Sequence, residues 1–224
     1  MVNPWDKIFI DDFESGFIIA NENYLQSADN FNLRARALCS LLIRNYQDAL
    51  NDFHLLLEIE KQTDRVGDES YWDIALCYYA LGNDEKAIDY FTFPVINPKQ
   101  IKYTSDISIH AGILYFIAVK LNRNDLLTIA TKKLKQQKKL VIPLFLLGQL
   151  LESDIDQIFR NQTDATLKNR KECKVEFYKA VAQLAKGNRE EYLCHLNRCV
   201  DLKGKYLEFE YYVAKVEQDK INCR

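Results

Sequence analysis

Glycine and proline are scarce in this chain of 224 residues, with seven of the first and four of the second. Sheet-rich folds and glycine-looped nucleotide sites use more turn residues than that, so the shortage favours helices before any pattern is read. No stretch approaches the ~18 consecutive apolar residues that a membrane-spanning helix requires. The opening segment offers only Ile8-Phe9-Ile10 ahead of Asp11 and Asp12, without the basic start and longer apolar run of a secretory signal. A cytoplasmic location is therefore expected. None of the six cysteines (Cys39, Cys77, Cys173, Cys194, Cys199, Cys223) pairs with another as C-x-x-C. Each sits in a helical pattern among apolar neighbours, where a thiol behaves as a small hydrophobe. Reduced core cysteines are expected in place of a disulfide or zinc frame.

Hydrophobic residues make up 48% of the chain and charged residues 28%, the balance of an ordinary water-soluble globular protein. The net charge of −2 conceals an uneven distribution. Residues 1–100 hold 8 Lys/Arg against 17 Asp/Glu, a net −9, while residues 101–224 hold 22 against 15, a net +7. Halves of opposite sign predict a directional electrostatic surface.

A repeat runs along the chain. The clearest unit, residues 69–92, contains Tyr71, Ile74, Ala75, Tyr78, Gly82, Ala87 and Phe91 in the spaced signature that resembles a tetratricopeptide repeat. Small residues such as Ala75 and Ala87 suit a close helix crossing, and larger ones such as Ile74, Tyr78 and Phe91 fill the space beside it. Gly82 ends the first helix, and Asn83 or Asp84 caps the second. Residues 31–57 repeat the pattern through Leu33, Ala37, Tyr46, Ala49 and Phe53, with a period of 38 that also separates Cys39 from Cys77. A third clear copy is residues 172–202, where Gly187 takes the part of Gly82; residues 111–135 and 140–160 are degenerate copies, the latter with a Ser153 cap. Helices at about residues 4–23 and 206–218 cap the two ends, Pro4 lying near the first turn of the former. The segments 62–67, 93–104 and 162–169 are too short to separate domains. The predicted fold is all-α: a tetratricopeptide-like α-solenoid of antiparallel helix pairs in a right-handed superhelix, one domain over residues 1–224.

Sequence motifs for catalysis, cofactors or metals do not emerge. Gly82 and Gly187 are isolated turn glycines, not phosphate loops. His54, His110 and His195 are far apart and read as packing or solvent residues. Asp11-Asp12 and Asp154-x-Asp156 pairs diverge on a helix, as does Cys194-His195; the first reads as a solvated face and the second as helix-start acids favouring the dipole. The lysines 132, 133, 135, 138 and 139 read as the wet face and C-terminal end of a helix. With an acidic first half and an isoelectric point near 6.0, nucleic acid is not the expected partner. No cofactor, metal, small-molecule substrate or enzymatic activity is expected, and a convergent buried His/Asp/Glu pocket would reopen that last point.

Function is thus expected at a surface. By resemblance to tetratricopeptide arrays, a groove near the best repeat would include Glu69, Trp72, Leu76 and Tyr79, with Asp68 and Asp73 beside them. Trp and Tyr exposed among carboxylates would anchor a basic protein partner; packing of Trp72 against the preceding helix pair is the alternative. Over most of its length the layout resembles a group of bacterial tetratricopeptide-like immunity proteins of polymorphic or contact-dependent toxin systems. The matching segments are WDKIF and FESG within residues 5–16, then residues 34–53, 67–91, 142–152, 173–188 and 208–217. Residues 99–131 depart from that pattern. The resemblance implies binding and neutralisation of a cognate toxin domain, with a basic nuclease-type surface matched by Asp11, Asp12, Asp68, Glu69 and Asp73 of the acidic half. A general scaffold that docks a peptide or protein is the alternative.

Overall fold

The structure, a computed structural model, describes residues 2–103, 107–137, 139–160, 164–202 and 208–222. Lys138, Cys223 and parts of the expected segments 93–104, 162–169 and 206–218 lie outside the described residues. Thirteen α-helices and no strand form among the described residues, as the shortage of turn residues predicts. They belong to two compact units, residues 1–105 and 106–224.

The first unit holds α1 (Trp5–Ile8), α2 (Phe13–Ser27), α3 (Asn30–Leu42), α4 (Tyr46–Gln62), α5 (Asp68–Ala80) and α6 (Asp84–Ile96). The starts of α3 and α5 are 38 residues apart, and so are those of α4 and α6, the offset already legible between Cys39 and Cys77. Ala37, Ala49, Ala75 and Ala87 are fully buried, as are both of those thiols. Where the small side chains bring successive helices close, Leu33, Phe53, Ile74 and Phe91 occupy the flanking space. Side-chain caps fix two of the four starts from α3 to α6. Asp29 accepts the Asn32 N–H at 2.8 Å, and Asn83 accepts that of Lys86 at 3.4 Å.

The expected N-terminal helix over residues 4–23 is broken in two. Asp11 turns the chain with a left-handed φ of 61°, and Asp12 then caps α2 by accepting the Ser15 N–H at 3.3 Å. Gly16 explains where α2 goes next: a Cβ there would lie 2.9 Å from Cys39 Sγ, so the bare backbone lets α2 close onto α3.

The second unit comprises α7 (Ile107–Lys120), α8 (Asn124–Gln136), α9 (Val141–Leu146), α10 (Glu152–Arg160), α11 (Ala165–Ala185), α12 (Arg189–Asp201) and α13 (Phe209–Asn222). The longest of them, α11, packs against α7, α9, α10, α12 and α13. Three expectations change here. The apolar helix of residues 140–151 stops at Leu146, because Gly148 takes a φ of 71°. Ser153 sits inside the first turn of α10, and Asp154 instead takes the Leu151 N–H at 2.8 Å. Residues 165–169, expected to be a linker, are already helical behind the Asp164 cap. No helix among the described residues is long and apolar enough to cross a membrane.

One turn recurs in both units. Gly82 (φ 77°) and Gly187 (φ 75°) each follow a helix. Gly82 N–H bonds Tyr79 O at 3.1 Å and Asn83 N–H bonds Tyr78 O at 2.9 Å, while Gly187 and Asn188 bond Leu184 O and Gln183 O, both at 3.0 Å. This is the double closure of a helix C-terminus that a left-handed residue permits.

Candidate functional site

The seven partner-binding residues read from the sequence occupy three different settings. Asp11 is exposed, in the turn after α1, and Asp12 is half-buried, pairing with Lys7 at 3.5 Å. Hydrogen bonding of the Ser15 hydroxyl and N–H, with Lys7 nearby, holds the Asp12 carboxyl below the usual range. Glu69 is exposed on α5, its side chain 59% accessible. Asp68, Trp72, Asp73 and Tyr79 are buried, with Trp72 only 2% and Tyr79 1% exposed. Of the two placements open to Trp72, the structure gives the core. The groove of exposed aromatic anchors on α5 is corrected: ten of the helix's thirteen residues are buried, because α4 and α6 flank it.

Burial turns the α5 carboxylates into structure. Arg34 of α3 bridges Glu69 and Asp73, at 3.0 Å to each. Glu60 of α4 accepts the Ser70 hydroxyl at 2.8 Å and the Gly67 N–H at 3.2 Å. A cavity of about 310 Å³ beside them is lined by Arg34, Glu60, Arg65, Asp68, Glu69 and Tyr103, among others. Burial raises Asp73 to about 7; Arg34 opposes the rise, and Glu69, Glu60 and Asp68 reinforce it.

Exposed aromatic surface lies instead at the N-terminal corner. Trp5 packs on Phe9 and Phe31, with ring centroids 6.4 and 5.8 Å away. Phe9 is 42% exposed and Phe31 56%. Both exceed what a packing role requires of a phenylalanine. Trp5 and Phe9 both lie in the WDKIF segment, but the corner is not legible there, since Phe31 approaches Trp5 only once α3 is docked.

A polar network in the second unit also escapes sequence reasoning. His195 of α12 is buried, and its Nδ1 donates to Glu176 of α11 at 2.8 Å. Its Nε2 lies 3.9 Å from the carboxylates of both Glu152 and Glu191. Buried Lys179 donates to Asp156 at 2.5 Å and to Glu176 at 3.3 Å. Burial would raise the Glu176 carboxyl, yet the His195 hydrogen bond and the charges of Lys179 and His195 hold it below its ordinary value. Burial likewise disfavours the charge on Lys179, but Asp156 and Glu176 outweigh it and raise the ammonium. An adjoining cavity of about 450 Å³ is lined by residues including Asp156, Glu172, Glu176, Arg198 and Asp201. A carboxylate orienting a histidine is the outer half of a general-base arrangement. Here the other imidazole nitrogen faces two further, part-exposed carboxylates, those of Glu152 and Glu191. No group of three or more His, Cys, Asp or Glu residues fit to hold a metal ion occurs among the described residues. The available signals were Glu176–Lys179 and Glu191–His195 at helical spacing, which acquire meaning only when α11 and α12 pair.

No model of a known protein family matches the chain. No protein of curated function is significantly similar to it.

Proposed function

We propose that this chain is a non-catalytic, protein-binding helical-repeat protein whose partner is a cognate toxin domain that it neutralises in the cytoplasm. In this reading its helix pairs stack as a tetratricopeptide-like right-handed solenoid, and the partner presents a basic, nuclease-type surface. The observation that carries the reading is the charge of the first unit. Residues 1–100 have a net charge of −9, and Asp6, Asp11, Glu14, Glu22, Asp48, Glu58, Glu69, Glu85 and Asp89 are all exposed. Such a surface attracts a basic partner over several ångströms and speeds encounter in a salt-dependent way.

A toxin gene immediately upstream is expected, and a neighbourhood without one favours a general scaffold; the test is co-expression with the toxin domain of that gene, followed by binding of the two purified proteins. Protection of growth, with a 1:1 complex whose association slows at least tenfold between 50 and 500 mM salt, is expected on the order seen for steered encounters. Unprotected cells and no complex at either salt would refute the proposal. Charge reversal at exposed Glu14 and Glu22 probes the surface; reversal at Glu69 would set a second cation against Arg34, and reversal at Asp68 would disrupt the cluster around it, since that carboxylate is buried.

A further inference from the structure

The proposed function leaves open which part of the first unit meets the partner, and the N-terminal corner carries an answer that rests on that reading. Three aromatic rings are in contact there: Trp5 on α1, Phe9 just after it, and Phe31 at the start of α3. Phe9 and Phe31 are exposed, and neighbouring Ile10 is 67% exposed. The Trp5 indole N–H is buried with no hydrogen-bond acceptor among the described residues. Large amphipathic rings of this kind serve as binding anchors.

Charge selects the occupant. Residues 1–30 contain one basic side chain, Lys7, against six carboxylates, and Lys7 is already paired with Asp12. Asp6 and Asp11, both exposed, belong to the same short helix and the turn that ends it. Self-association through this corner would bring two such acid-rich segments together, and an anionic membrane would repel it. The geometry points to the Trp5–Phe9–Phe31 corner as the docking surface for a basic segment of the protein partner that carries an apolar side chain among its Lys and Arg residues. The apolar side chain lies against the three rings, and the cations face Asp6 and Asp11.

The chain has two tryptophans, one at this corner and one in the core, so indole-labelled protein supplies a reporter and its internal control. Titration with the upstream-encoded toxin domain should shift the Trp5 indole resonance and leave that of Trp72 in place. The Phe9→Ser/Phe31→Ser variant, with an unchanged melting temperature, should bind at least tenfold more weakly. Asp6→Lys/Asp11→Lys should slow association at least tenfold at low salt and by less at high salt. A complex that forms with the Trp5 signal unmoved and wild-type affinity in both variants overturns this surface while leaving the function standing. Absence of any complex with the wild-type chain overturns both. Sedimentation as a dimer that the phenylalanine variant dissociates would show a second copy as the occupant and reject the proposal.

Discussion

Asp73 shows what a single side chain does once its surroundings are set. Its carboxyl is pushed up to about 7 by burial and by neighbouring acids, against the pull of Arg34. A carboxyl that holds its proton more tightly folded than unfolded favours the folded state at low pH. That contribution is complete below the unfolded value near 3.8 and is lost as pH rises towards 7. Stability should therefore fall between pH 4 and 7, by at most about 1.4 kcal/mol per pH unit from this group. Asp73→Asn should flatten that slope in denaturant titrations across the range. Lys179 is the opposite case, a buried cation held between Asp156 and Glu176. Removing it takes the cation from two part-buried carboxylates, of which Glu176 keeps only its His195 hydrogen bond among those described above, so Lys179→Met should cost about 2–4 kcal/mol in urea unfolding. Gly112 is set by a neighbour: a Cβ would lie 2.5 Å from the Tyr178 ring, whose hydroxyl bonds buried Glu210 at 3.0 Å. Alanine normally gains about 1 kcal/mol over glycine inside a helix. Here Gly112→Ala should instead destabilise by about 1–3 kcal/mol, because the ring has to leave its hydrogen bond.

Several of the helices end at a left-handed residue just after their last turn. Gly82 and Gly187 close their helices with matching pairs of hydrogen bonds, and a Cβ at either position would meet nothing within 4 Å. The cost of alanine there is conformational alone. Gly82→Ala and Gly187→Ala should each lose roughly 1 kcal/mol, and nearly the same amount, in thermal or chemical unfolding. A large difference between them would mean that the two turns are not equivalent. Arg44 and Asn122 hold the corresponding places after α3 and α7 with φ of 68° and 53°. The chain therefore accepts side chains at this turn where it must, and uses glycine at the two best-formed copies.

At the scale of the molecule, charge is the property no single element displays. The change of sign near residue 100 falls close to the boundary between the two compact units at residue 105. Each unit thus carries mainly its own sign. An excised first unit that folds should migrate as an acidic protein, and its retention on an anion exchanger should exceed that of the whole chain. Partner association should respond to salt through its on-rate, since the exposed carboxylates act before contact. A complex whose salt dependence lies wholly in dissociation would point away from steering.

Most of the helices, their offset of 38 residues and the turns at Gly82, Asn83 and Gly187 were legible in the sequence, whereas the Asp12, Asp29 and Asp164 caps were not. The legible features follow from local chemistry: small residues at helical spacing, turn glycines, and an Asn side chain positioned to take up a free N–H group. The excess of carboxylates in the first half is likewise composition and needs no fold. Tertiary structure decided which polar and aromatic side chains face water. Helical periodicity marks the apolar stripe of α5, but the opposite stripe holding Trp72 and Tyr79 is also buried because neighbours flank the helix on both sides. Asp68 and Asp73 went into the interior with it, which the sequence had no means to signal. The same limit hid the aromatic corner and the His195 network, whose members lie on different helices. Phe31 meets Trp5 and His195 meets Glu176 only because tertiary packing brings distant segments within hydrogen-bond or van der Waals reach.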